Sequence, residues 1–189
     1  PTLAMSSAAS DVYKRQHYVS SKGIGELRRE AARYVNREHG AEVDENNILV
    51  GNGAKIFQQL FCELFLDPGD GALVFSPFFP TYSANISRRG GRLITSKLLQ
   101  KNKFRPSLED VKFFLEQDEA PKAIFLNSPH NPTGGVTTEE DVADICSLIL
   151  SKENVFLFSD EPYDQMAWSD KHISPIGQRD MLDRCVAVY

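Results

Sequence analysis

Ala123-Ile124-Phe125-Leu126 and Val155-Phe156-Leu157-Phe158 are unbroken apolar runs, and each delivers polar residues just past its end. His130-Asn131-Pro132-Thr133-Gly134 follows the first, and Asp160-Glu161-Pro162-Tyr163 follows the second. Short runs that are apolar at every position read as strands of a parallel sheet, buried on both faces. In an open α/β sheet the ligand crevice lies beyond the carboxyl ends of the strands. An Asn, an Asp and a Tyr therefore stand where a small molecule binds, and a cofactor site is the leading expectation.

Strand and helix patterns alternate on both sides of these runs. Leu27, Ala31, Tyr34 and Val35 recur at helical spacing before Gly40, which predicts an amphipathic helix ending near His39. Ile48-Leu49-Val50 reads as a short strand, and Ala54 to Leu66 as a helix with an apolar stripe at Ile56, Phe57, Leu60 and Leu64. After the turn Asp67-Pro68-Gly69-Asp70 come a strand at Ala72–Phe75, a short helix stopped by Gly90-Gly91, and a strand around Leu93–Thr95. Ser107 starts a helix through Phe114 and Leu115; Thr137 or Thr138, with Glu139 and Glu140, starts another; Cys185–Val188 is a last strand. Six strands with helices between them predict an α/β layered domain with a mainly parallel sheet.

Composition bounds the function. The 189 residues are 41% apolar and 25% charged, which is ordinary for a globular domain. The 21 basic against 26 acidic residues, net −5, argue against nucleic acid or an anionic membrane surface as partner. No apolar stretch reaches the roughly 20 residues of a membrane helix, so a soluble, cytoplasmic protein is expected. Cys62, Cys146 and Cys185 sit in apolar segments without metal-type spacing and read as core residues. His17, His39, His130 and His172 are scattered, so no metal site is predicted. Residues 1–16 lack helical or strand periodicity and are expected to be a non-native or disordered tail outside the fold, which leaves 17–189 as the domain.

Three polar constellations fall at strand ends. Besides the two already named, Gly51-Asn52-Gly53-Ala54-Lys55 opens a helix, where unpaired N–H groups and the positive dipole end favour a phosphate and Lys55 adds charge. Glycines also serve tight turns, so this signal is weak alone. It is not a dinucleotide fingerprint, because Ile56 occupies the third glycine position, and the chain has no P-loop. A dehydrogenase reading therefore rests on strand-helix alternation only. Asp160 alone reads equally well as a loop acid and Asn131 as a turn former; it is their convergence that points to a site.

Asn131-Pro132-Thr133-Gly134, Asp160-Glu161-Pro162-Tyr163, Asp67-Pro68-Gly69-Asp70 and Gly23-x-x-Glu26-Leu27-Arg28 together resemble the pyridoxal-phosphate aminotransferases of the aspartate aminotransferase fold type, in the family's order over residues 17–189. The resemblance implies a three-layer α/β/α large domain that binds pyridoxal 5'-phosphate, and transfer of an amino group between an amino acid and a 2-oxo acid. It implies that Asp160 pairs with the pyridinium nitrogen, that Asn131 and Tyr163 hydrogen-bond the ring's phenolic oxygen, and that Phe79, rather than Phe78, stacks on the ring. Ala54 and Lys55 match the residues whose amides hold the phosphate. Tyr18 matches a tyrosine that reaches the neighbouring subunit's phosphate, which implies a homodimer. The Schiff-base lysine and the C-terminal small domain are expected beyond Tyr189, so no catalytic residue is assigned within the chain. Lyases, decarboxylases and synthases of the same fold, and a non-catalytic relative, stay open as alternatives.

Overall fold

The computed structural model describes residues 20–168 and 171–189. In chain order the elements are α1 (Gly25–His39), α2 (Ala54–Phe65), β1 (Gly71–Ser76), α3 (Thr81–Arg88), β2 (Arg92–Lys97), α4 (Leu108–Gln117), β3 (Pro121–Asn127), α5 (Glu139–Leu150), β4 (Phe156–Asp160) and β5 (Cys185–Val188). The sheet runs β2-β1-β3-β4-β5 with every neighbouring pair parallel. The two apolar runs are its centre, and their register sets Asn127 beside Asp160 at the carboxyl ends of β3 and β4.

Alternation along each strand divides the core into two layers. Leu73, Phe75, Ile124, Leu126 and Leu157 face α4 and α5, where they meet Val111, Phe114, Val142, Ile145 and Ile149. Ala72, Val74, Ala123, Phe125 and Phe158 face α2 and α3, where they meet Phe61, Cys62, Tyr82 and Ile86. Helices therefore cover both faces, as a parallel sheet requires, and the three-layer α/β/α architecture is the one expected. Phe61 anchors α2 edge-on against Phe125 at 5.4 Å and tilted against Phe158 at 5.2 Å, a geometry aromatic pairs favour.

Helix ends follow local chemistry. Gly40 stops α1 with φ 69°, its N–H donating to the Asn36 carbonyl. Thr138, not Thr137, caps α5, in a box with Asp141; the Thr137 hydroxyl instead donates to Ser128 Oγ at 2.9 Å. All three cysteines are buried and free, and burial pushes the Cys62 and Cys146 thiols up to about 12.

Three expectations need correction. Ile48–Val50 is not a strand: the Val50 N–H bonds the Lys22 carbonyl at 3.0 Å, and among the described residues no strand pairs with the segment. Between it and β5 lies a cavity of about 330 Å³ with apolar walls such as Leu27, Ile48, Phe57 and Val186. The sheet therefore has five strands among the described residues, because a strand exists only where a partner meets its backbone groups. The buried face of α2 is Gln58, Phe61 and Cys62, whereas Leu64 is 77% exposed and Ile56 37%; the aromatic contacts turn the helix onto Phe61. On α1, Ala32 and Val35 are buried and Leu27 is half exposed, at the wall of that cavity. Residues 1–16, read above as a tail, lie outside the described residues, as does Tyr18. Among the described residues no helix is long and apolar enough to cross a membrane.

Candidate functional site

A second cavity of about 330 Å³ opens at the carboxyl ends of β3 and β4, where the sheet architecture puts a ligand crevice. Gly53, Ala54, Lys55, Phe79, Asn131, Asp160 and Tyr163 all line it. Every described residue that sequence reasoning selected for a cofactor thus faces one space, although they come from four separate stretches of chain. Tyr18 alone of that set lies outside the described residues.

On one wall, α2 begins at Ala54. Gly53 precedes it with φ 82°, a left-handed backbone that favours glycine, and no side chain caps the helix. The first turn of α2 holds no acid. Its N–H groups and the positive dipole end are therefore available to an anion. Lys55 Nζ lies 5.0 Å from the centre of the Phe79 ring, which brings a positive charge and an aromatic face together. Phe78 instead packs toward Tyr82, with ring centres 6.5 Å apart, and does not line the cavity.

The opposite wall is a hydrogen-bonded frame. Asn127 Nδ2 donates to the Asp160 carbonyl at 2.7 Å, and Asn127 Oδ1 accepts from the Asn131 N–H at 2.8 Å. This ties the β3 and β4 ends together and aims the Asn131 side chain, whose Nδ2 donates to Tyr163 Oη at 3.1 Å. His130 is tucked behind, 6% exposed, with Nδ1 2.8 Å from Thr133 Oγ1. Burial lowers its pKa, so the ring is held neutral.

Asp160 is the electrostatic centre. It is 6% exposed, and its Oδ2 accepts from the Tyr82 hydroxyl and from Gln58 Nε2 at 3.3 Å. Thr81 Oγ1 in turn donates to Gln58 Oε1, which fixes the amide so that Nε2 faces Asp160. Oδ1 has no hydrogen-bond partner among the described residues. Burial raises the carboxyl pKa above its ordinary 3.8, against the lowering effect of the Tyr82 and Gln58 hydrogen bonds. The Tyr82 phenol is itself pushed up by burial and then by the Asp160 charge, so it stays a donor. The arrangement holds a carboxylate in a low-dielectric niche with one oxygen left for a cationic or N–H-bearing ligand.

Sequence reasoning missed Gln58, Thr81, Tyr82 and Asn127. Gln58 left a trace, as a polar residue inside the apolar pattern of α2. The others look like ordinary helix or strand-end residues until the fold is built.

The chain matches the family model "Aminotransferase class I and II" over residues 3–188. It is 34% identical over 173 residues to an aspartate aminotransferase of Thermotoga maritima, covering 90% of this chain and 45% of that protein. It is 38% identical over 159 residues to a probable aspartate/prephenate aminotransferase of Aquifex aeolicus, covering 84% of this chain and 40% of that one. A Thermus thermophilus aspartate aminotransferase variant superposes with a TM-score of 0.84 at 29% identity, covering 93% of this chain and 47% of that structure. The chain thus spans about half the length of the relatives it matches. Matched over nearly its whole length in sequence and in fold, the chain belongs to the class I and II aminotransferase family.

Proposed function

We propose that the full-length protein transfers an amino group between an amino acid and a 2-oxo acid with pyridoxal 5'-phosphate, and that the cavity at the ends of β3 and β4 holds this cofactor. The observation that carries the reading is Asp160, a buried carboxylate at the cavity wall whose Oδ1 lacks a partner among the described residues. A buried charge is costly unless a donor or cation meets it, and a protonated ring nitrogen is such a partner. The residues present therefore fit the group. Bound there, it supplies an electron sink for bond breaking at the substrate's α-carbon.

The chain's own residues supply holding and tuning. The N–H groups of Ala54 and Lys55 at the start of α2 hold the phosphate, and Lys55 adds charge. Asn131 and Tyr163, already bonded to each other, turn toward the phenolic oxygen and favour its anionic form. Phe79 covers one ring face. Asp160, fixed by Tyr82 and Gln58, holds the proton on the ring nitrogen. In the same reading residues 17–189 form part of the large domain, Tyr18 reaches the phosphate of a second subunit in a homodimer, and the enzyme works in the cytoplasm. Aminotransferase names among the matched relatives support the reaction class.

The test is Asp160→Ala in the full-length protein supplied with pyridoxal phosphate. Loss of an electrostatic stabiliser predicts a fall in kcat of about 10²–10³-fold; undiminished turnover removes Asp160 from this role.

A further inference from the structure

Glu161 follows Asp160 directly but meets different partners. It is fully buried; Oε2 lies 2.5 Å from His172 Nε2, and Oε1 accepts from Ser174 Oγ at 2.8 Å. The end of α1 brings His39 to the same place. Gly177 permits this approach, because a Cβ at that position would overlap the His39 carbonyl oxygen. The rings of His39 and His172 lie edge to face, centres 5.7 Å apart, and Tyr189 stacks on His39 at 5.0 Å.

We propose that His39, Glu161 and His172 form a binding site for a first-row divalent transition-metal cation. One ligating atom from each lies within 4.8 Å of those of the other two. Two imidazoles and a carboxylate are a donor set suited to Zn²⁺ and its neighbours. The side chains of His39 and His172 are 3% exposed and that of Glu161 is 0% exposed. Among the described residues Nδ1 of His39 and Nδ1 of His172 have no hydrogen-bond partner, and His39 Nε2 has only its 3.3 Å contact with Asp164. Buried polar atoms in that state are rare and ask for an explanation.

The geometry is close to that of a loaded site. A tetrahedral ion with bonds of 2.0–2.2 Å holds its ligands about 3.3–3.5 Å apart. That spacing falls between the 2.5 Å Glu161–His172 contact and the 4.8 Å limit of the trio. Loading opens the Glu161–His172 contact by about an ångström, with the ion replacing the proton between them. Outer partners are in place. Asp164 Oδ2 is 3.3 Å from His39 Nε2 and accepts from the Tyr34 hydroxyl. This is the carboxylate-behind-histidine arrangement that orients metal-bound imidazoles, and it leaves Nδ1 to ligate. Ser174 plays the same part for Glu161. None of the three ligands lines the cavity assigned to the cofactor, so the site stands independently of that assignment.

Tag-free full-length protein, stripped with a chelator, is titrated calorimetrically with ZnCl₂, and its Co²⁺ form is studied by X-ray absorption. The expected result is saturable binding with two imidazoles in the ion's inner shell. His39→Ala weakens Zn²⁺ binding by more than about 100-fold, and Ser174→Ala, which removes only an outer partner, by about tenfold. Absence of saturable binding, equal affinity in the His39→Ala protein, or an inner shell without imidazole overturns the proposal. The absorption measurement needs only the unaltered protein, so it decides the matter even where His39→Ala fails to fold.

Discussion

Asp160 and Glu161 are adjacent acids, both buried, with opposite surroundings. Asp160 is met by neutral donors, Tyr82 and Gln58, and keeps one oxygen without a partner at a cavity wall. Glu161 is met on both oxygens, by His172 and by Ser174, away from that cavity. A buried carboxylate needs compensation. Where the fold completes it, the acid joins elements together, and under the metal-site proposal a cation replaces the proton it shares with His172; where the fold stops one partner short, an oxygen is left open to a ligand in the cavity. The difference lies not in the residue type but in what the neighbouring helix and loop bring to each oxygen.

The largest effect separating the two comes from Glu161→Ala, which strands His172 and Ser174 in the core. Breaking a buried pair from one side costs about 3–5 kcal/mol, read from the midpoint of urea unfolding. A loss under about 1 kcal/mol would show that Glu161 is no more a joint than Asp160. Next, Tyr82→Phe removes the buried hydroxyl that holds Asp160 Oδ2. A hydrogen bond to a charged group contributes about 1.5–3 kcal/mol, so a comparable drop in stability is expected; no change would mean that Asp160 is not framed by that hydroxyl.

The smallest effect has the opposite sign. Asp160→Asn keeps a side chain of the same shape and removes a buried charge that lacks a full set of partners. The ligand-free protein is expected to gain about 0.5–2 kcal/mol, the usual scale of a single stabilising change. The pH dependence follows from the raised folded pKa of Asp160. Above that pKa the wild-type chain carries the ionised group at a cost. As pH falls through it, the folded form takes up a proton before the unfolded form does, and the advantage of the Asn variant shrinks, to vanish below the ordinary 3.8. An advantage that stays constant with pH would show that the gain has another origin.

Legibility differed between elements for physical reasons. β3 and β4 were plain because the middle of a strand buried on both faces is an unbroken apolar run, and the polar residues at its ends then stand out. The cap at Ser107 was legible because the chemistry is confined to one turn, whereas the choice between Thr137 and Thr138 was left open by the sequence and was made by the Asp141 capping box. Ile48–Val50 misled because an apolar run with β-branched Ile48 and Val50 suits a strand, while pairing depends on a partner elsewhere. The α2 stripe was misplaced because its apolar residues surround most of the helix, and Phe61 settled the orientation by stacking on Phe125 and Phe158.

By itself the sequence determined the α/β class, the strand-end placement of Asn131, Asp160 and Tyr163, and the phosphate-suited start of α2, since each depends on local period or on one turn of chain. Only the tertiary structure decided who holds Asp160, through Tyr82 78 residues away and Gln58 102 residues away. It also gathered His39 and His172, two of four histidines scattered in the chain, around Glu161. Local pattern sets which way a side chain leaves its own element; which group it then meets depends on how distant elements pack, and that is a property of the whole core.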